Sequence, residues 1–287
     1  MKNILVTGAG GFIGKQLVRK LELAGHKVSA LTSDDGDIAN PLTLWRFREE
    51  PLDFVFHLAA RTFVPDAWRE PADFQRVNVN GTANVLEICR QRKLPLTYVS
   101  AYLYGIPASL PVRETDRVEP NNPYALSKYM AESLCRFYAE NYEVPVTIIR
   151  PFNIYGPGQK PHFLIPEIIT QVLARQAIKL KDLTPRRDYL YVDDLVDALI
   201  LAINYGEGCK LYNIGYGSSL SVAEIVNAIQ SIAGTSLPVM SEKKPRQNEI
   251  PDVYADISHA KQELNWYPKH TFFEGVKNMI INGGHSL

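Results

Sequence analysis

Thr7-Gly8-Ala9-Gly10-Gly11-Phe12-Ile13-Gly14 is the stretch that decides the fold. It stands between an apolar run, Ile4-Leu5-Val6, and an amphipathic stretch, Gln16 to Ala24, so it reads as strand, glycine turn and helix. Gly8, Gly11 and Gly14 lack the side chains that would block a tight turn, the approach of a pyrophosphate, and close packing of helix on sheet. The helix N-terminus adds oriented N–H donors, which predicts an anion cradle for a dinucleotide. Phe12 and Ile13 are expected to line it with the three glycines.

Working outward, β-rich runs at Lys27 to Leu31, Phe54-Val55-Phe56, Leu96 to Val99 and Val144 to Ile149 alternate with predicted helices, including Phe74 to Arg92 and Ser127 to Asn141. This rhythm predicts an α/β fold: a Rossmann-type doubly wound parallel sheet, with residues 1–150 as the NAD(P)-binding domain. After Arg150 the rhythm loosens through Pro151 to Pro161, and helices are expected at Leu164 to Arg175, Val192 to Asn204 and Val222 to Ala233. Residues 151–287 are therefore read as a smaller C-terminal substrate-binding cap, some of whose segments return to the sheet, with substrate in the cleft between.

Composition narrows the function classes. With 287 residues and 46% hydrophobic content the chain can bury a large core. Thirty-one basic residues balance thirty-one acidic ones, so no global field favours nucleic acid or an anionic membrane. Cys89, Cys135 and Cys209 lack the spacing of a zinc site or a disulfide framework and read as reduced and structural, and no metal is expected. No leader sequence and no run of about 18 apolar residues is seen, so a cytoplasmic protein is expected.

The second strand bears on the choice of dinucleotide. An NAD site usually places Asp or Glu at its end, and here it ends Leu31-Thr32-Ser33. Thr32 and Ser33 could hydrogen-bond a 2′-phosphate, although no Arg is adjacent in sequence and Asp34 and Asp35 would repel it. The balance favours NADP over NAD. Asp37-Ile38 follows as a candidate adenine cover, with an ordinary loop aspartate as the alternative.

Tyr124 and Lys128 stand four apart at the head of a predicted helix, so both project from one face. An ammonium beside a phenol favours the phenolate, so Lys128 is expected to lower the Tyr124 pKa for proton exchange with a sugar oxygen and to hold the nicotinamide ribose. Tyr98-Val99-Ser100-Ala101-Tyr102 leaves a strand at its carboxyl end and places the Ser100 hydroxyl where open α/β sheets bind ligands.

At these residues the chain resembles the extended short-chain dehydrogenase/reductase family, in its nucleotide-sugar epimerase, dehydratase and ketoreductase branch. Thr7 to Gly14 is similar to that family's cofactor loop, His57-Leu58-Ala59-Ala60 to the segment along the cofactor, and Asn78-Val79-Asn80-Gly81-Thr82 to its helix-positioning motif. Arg150-Pro151-Phe152-Asn153-Ile154-Tyr155-Gly156-Pro157-Gly158 resembles the segment whose asparagine meets substrate phosphates, and Arg187-Asp188-Tyr189 and the Pro-Arg-Gln-Asn-Glu-Ile-Pro around Arg246 resemble its phosphate-binding arginine elements. The resemblance implies Ser100, Tyr124 and Lys128 as the catalytic group. It implies Leu58, Ala59, Ala60, Asn78, Val99 and Pro151 as further cofactor contacts, and Arg61, Ser100, Ala101, Tyr102, Asn153, Arg187 and Arg246 as substrate contacts. Guanidinium forks match a pyrophosphate, so a nucleotide-diphosphate sugar is the expected substrate. His57 is read as structural.

Family dehydratases carry an acidic residue after the catalytic Ser/Thr, and here Ala101-Tyr102 follows, which argues against dehydration. Phe56 to Trp68 resembles that stretch of GDP-6-deoxy-4-keto-sugar reductases, and an NAD(P)H-dependent reductase of a 4-keto-6-deoxy sugar nucleotide is favoured because the second strand lacks the NAD-type carboxylate and a reductase must exchange its cofactor. The alternatives are a nucleotide-sugar 4-epimerase with retained NAD and, more distantly, a non-enzymatic dinucleotide sensor. By resemblance a homodimer is expected, packed through the helices that hold Val85 and Tyr129.

Overall fold

The computed structural model describes residues 1–204, 207–243 and 249–282. Five strands, β1 (Asn3–Thr7), β2 (Lys27–Leu31), β3 (Phe54–His57), β4 (Leu96–Val99) and β5 (Val146–Pro151), join Cys209–Ile214 in one six-stranded sheet. Its order is Cys209–Ile214, β5, β4, β3, β1, β2, and every pairing is parallel. Parallel strands need crossover helices on both faces, which is why β3, β4 and β5 are buried along their whole length. As the edge strand, β2 buries only Leu31. The fold is thus the expected Rossmann-type sheet, and its order reverses between β1 and β3, where such sheets open a crevice at the carboxyl ends of the strands.

Helices cover the two faces. On one, Leu17 and Leu21 of α1 (Phe12–Leu23) pack with Leu195 and Leu199 of the helix Val192–Leu201 and with Trp266. Each is at most 2% exposed, and burying one such leucine contributes about 2 kcal/mol. On the other face lie two short helices, α2 (Val64–Arg69) and α3 (Pro71–Gln75), followed by α4 (Gly81–Arg92) and α5 (Pro123–Tyr142). The helix expected at Phe74 to Arg92 is interrupted by a π-helical turn at Arg76–Asn80, a widened turn that turns up often at functional sites. α5 starts four residues before the expected Ser127, because Asn122 caps it by accepting from the Ala125 N–H at 2.9 Å and Pro123 suits the first turn.

A third apolar cluster lies among the helices after β5. Ile165, Ile168 and Ile169 of Leu164–Leu173 face Ile225, Val226 and Ile229 of Val222–Ala233, with Val276 and Ile280 behind them. Val222–Ala233 begins where expected, since Ser221 and Glu224 form a reciprocal capping box.

On α4, one of the two helices expected at a dimer surface, Val85 is 1% exposed and packs inside the core with Cys89, Tyr98 and Cys135. Tyr129 is exposed, beside Leu126, Met130 and Phe137 on α5. No helix of the described residues is long and apolar enough to cross a membrane.

Candidate active site

The glycine turn fits a dinucleotide for steric reasons. A Cβ on Gly14 would lie 2.1 Å from the Gly8 carbonyl oxygen, and one on Gly8 would lie 2.7 Å from the Ala59 nitrogen. Gly8 also sits at φ +71°, in the left-handed region. Gly11 caps α1 with no side-chain hydrogen bond, and no acidic residue stands in the first turn, so the helix N-terminus keeps its donors for an anion. Leu58 and Ala59 close over this turn: the Leu58 N–H donates to the Thr7 carbonyl at 3.1 Å and the Ala59 N–H to the Thr7 hydroxyl at 3.2 Å. Ala60 follows, part-buried, and Phe12 lies under Gly156 of the cap. Ile13 packs onto the first core.

β4 and α5 bring the catalytic candidates together. Lys128 is 2% exposed and donates from Nζ to the carbonyl of Val99 at 2.7 Å, with Nζ 4.2 Å from the Tyr98 ring centre. Val99 immediately precedes Ser100, whose N–H donates to the Ile149 carbonyl at 2.7 Å. Tyr124, half-buried, packs against a small cluster of Ala101, Leu103 and Ala125, in which Ala101 is the residue after Ser100. Among the described residues the buried Ser100 hydroxyl has no hydrogen-bond partner, which is costly unless a ligand supplies one.

Electrostatics correct one expectation. Burial pushes the Tyr124 phenol well above its ordinary value, rather than Lys128 lowering it. Burial also brings the Lys128 ammonium down to about 7, with Cys135 and Glu132 opposing that shift. Two desolvated groups each lean toward their neutral form, which for Tyr124 is the protonated phenol.

Asn78 reaches the site indirectly. Its carbonyl oxygen accepts from the Arg61 N–H at 2.8 Å, and its amide donates to the Arg61 carbonyl at 3.0 Å and the Ser127 hydroxyl at 2.8 Å. The π turn thus pins the segment after β3 to the catalytic helix. The Arg61 side chain is engaged elsewhere, with Glu70 at 2.6 Å, with Asp73, and over the Phe74 ring at 4.7 Å. His57 spends both ring nitrogens, on Thr7 at 2.7 Å and Thr82 at 2.9 Å. Burial, with Lys128 second, brings its pKa down to about 3, which keeps it neutral and in the structural role expected of it.

At the end of β2, the Thr32 N–H and hydroxyl each donate to Asp35 at 2.8 Å, while Arg46 pairs with the other Asp35 oxygen at 3.1 Å. A guanidinium absent from the local sequence is thus brought there from a 3-10 helix at Pro41–Phe47. Ser33 begins the short turn that Thr32 caps. Asp37 pairs with Arg76 and accepts from the Ala39 N–H at 2.9 Å, and Ile38 is buried against Gly81.

Asn153 lies on a strand next to the one that follows Arg187: the Asn153 N–H donates to the Asp188 carbonyl at 3.0 Å, and Asn153 pairs in register with Tyr189. Pro151 is buried at the end of β5, and the Tyr102 ring packs 5.2 Å from that of Phe152 while its hydroxyl donates to the Gly105 carbonyl. Arg187 donates to the Arg186 carbonyl at 2.7 Å and pairs with Glu249, a partner that local sequence reading missed. Arg246 lies outside the described residues. The sequence reading also missed a buried pair, Glu132 with Arg150, although Glu132 stands four residues beyond Lys128 on the same helix face.

Comparison with known proteins gives the same picture. The profile described as the NAD dependent epimerase/dehydratase family matches residues 4–215. The chain belongs to that family. It is 31% identical over 293 residues to the GDP-6-deoxy-D-mannose reductase of Pseudomonas aeruginosa, covering 97% of this chain and 96% of that one. Among solved structures, a UDP-glucose 4-epimerase of Thermotoga maritima with UDP-glucose aligns at a TM-score of 0.92 and 30% identity, over 98% of both chains. RMD from Pseudomonas aeruginosa, complexed with NADPH, aligns at 0.90 and 30%, again over 98% of both. As a member of this family the chain is an enzyme, built to use NAD(P) on nucleotide sugars.

Proposed function

We propose that this enzyme reduces a 4-keto-6-deoxy sugar nucleotide. The observation that carries the reading is the grouping at one strand end of Lys128 on the Val99 carbonyl, the Ser100 hydroxyl, without a partner among the described residues, and Tyr124 against the cluster that contains Ala101. When bound, the dinucleotide supplies hydride to C4. Ser100 hydrogen-bonds the C4 carbonyl oxygen, and Tyr124, held protonated by burial, gives that oxygen its proton. Lys128 orients the nicotinamide ribose. Ala101-Tyr102 offers no carboxylate for elimination of water, which supports reduction over dehydration.

Arg187 and Asn153 hold the substrate diphosphate, with Arg246 as the sequence-based candidate beside them. NADP is favoured over NAD because Asp35, in the turn after β2, is neutralised by Arg46 and committed to Thr32. The likeness to RMD complexed with NADPH supports the same choice. The exposed row Leu126, Met130 and Phe137 on α5 supports a homodimer.

A second reading, 4-epimerisation with retained NAD, has the support of the Thermotoga maritima epimerase likeness. One experiment separates the two. The protein is purified, denatured and its released dinucleotide identified by mass, while NADPH consumption is followed with GDP- and UDP-linked 4-keto-6-deoxy sugars. Reductase activity is expected with NADPH. NAD that survives purification, with C4 inversion of a UDP-hexose and no NADPH consumption, overturns it.

A further inference from the structure

A buried charge network ties the catalytic helix to the segment that carries Ser100. Glu132, one turn beyond Lys128 on α5, is fully buried. Its carboxylate accepts from Arg150 on β5 twice, from Nε at 2.9 Å and from Nη2 at 2.6 Å. Arg150 is 1% exposed, and its Nη1 donates to the Tyr104 hydroxyl at 2.8 Å. Tyr104 donates in turn to Asn213 Oδ1 at 2.7 Å on the edge strand, and Asn213 Nδ2 donates to the Val112 carbonyl at 3.0 Å. The path therefore runs from catalytic helix to sheet, then through the loop after Ser100, and ends at the far edge.

Stability is a poor explanation for such a pair, since apolar replacements of a buried ion pair are often neutral or stabilising. A bidentate fork does fix distance and angle between two elements. We propose that Glu132 and Arg150 are positioning residues which, through Tyr104, hold the loop from Ala101 to Gly105 and with it Ser100 in register against Tyr124 and Lys128. The inference rests on the catalytic reading above.

Charge adds a second effect at Lys128. Facing that ammonium are His57 on β3, the Tyr98 ring and Val99 carbonyl on β4, and Glu132 and Cys135 on its own helix. His57 is neutral, so Glu132 is the carboxylate that supports the charged form of Lys128 against burial.

The test measures kcat, and kcat/KM for NADPH against pH, in four variants with a thermal melt for each. Glu132→Gln is expected to lower kcat about tenfold and to move the alkaline limb of kcat/KM about one unit toward acid. Tyr104→Phe keeps every charge, so a loss of about threefold in kcat with an unmoved limb is expected. Glu132→Gln with Arg150→Met removes both charges and guards against misfolding of the single variant; its melt is expected to recover while kcat stays low. Tyr124→Phe reports on the catalytic reading itself. If Tyr124→Phe abolishes turnover but Tyr104→Phe and the double variant turn over like wild type with an unmoved limb, the pair is only structural and the proposal is overturned. If Tyr124→Phe turns over normally, the catalytic reading falls first and takes the proposal with it.

Discussion

The two halves of the proposed site are built differently. On the sheet side, Ser100, Tyr124 and Lys128 are set by backbone geometry and burial, and the contact that fixes Lys128 is to a main-chain carbonyl. On the cap side, Arg187 is held by Glu249 from a segment 62 residues away, and Asn153 is exposed. A buried group anchored to the backbone has one place to be. A partly exposed guanidinium paired with a carboxylate can exchange that partner for a phosphate, so the sheet side suits chemistry and the cap side suits reversible recognition.

That contrast can be broken by substitution on each side. Tyr124→Phe removes the proton donor without changing shape and is expected to lower kcat about a thousandfold with the melting temperature kept. Turnover within tenfold of wild type would remove the phenol from the mechanism. Gly14→Ala places a methyl 2.1 Å from the Gly8 carbonyl, so the turn must open, and NADPH affinity measured by fluorescence titration is expected to fall about a hundredfold. Unchanged affinity would mean that the turn is not the phosphate cradle. On the cap side, Arg187→Gln is expected to raise KM for the nucleotide sugar about tenfold while kcat stays within about twofold. A loss confined to kcat would contradict the division between the two sides.

How much of this was legible in sequence follows the same line. The glycine turn, the four-residue spacing of Tyr124 and Lys128, and Ser100 at a strand end are local patterns, and local patterns translate into geometry through the helix and strand periods. Asn122-Pro123 also carried the start of α5, but the apolar periodicity that placed the helix at Ser127 begins a turn later. The π turn at Arg76–Asn80 had no local signal, because it is matched by hydrogen bonds from Asn78 to Arg61 and Ser127, each far away in sequence. Arg46 beside Asp35, Glu249 beside Arg187 and Arg150 beside Glu132 were invisible for the same reason: a charge in sequence does not name its partner. That Val85 faces the core was not legible either, because an apolar helix residue looks the same whether it faces a core or a second copy.

The smallest effect sharpens the comparison on the sheet side. The expected phenolate is not what burial produces: Tyr124 stays protonated, while Lys128 sits at about 7. The ordinary lysine value is far higher, so loss of the ammonium near neutrality is a signature of this buried site. An amine loses its charge as pH rises through its pKa, and kcat/KM for the cofactor reports the groups of the free protein. If the charged form of Lys128 holds the nicotinamide ribose, kcat/KM for NADPH is expected to fall about twofold between pH 6 and 7 and then about tenfold per unit above pH 8. Lys128→Arg keeps its charge throughout and is expected to flatten the limb even if its rate is lower. A profile flat to pH 9 in the wild-type protein would mean that the ammonium is not what the cofactor meets, and that Lys128 acts only through its bond to the Val99 carbonyl.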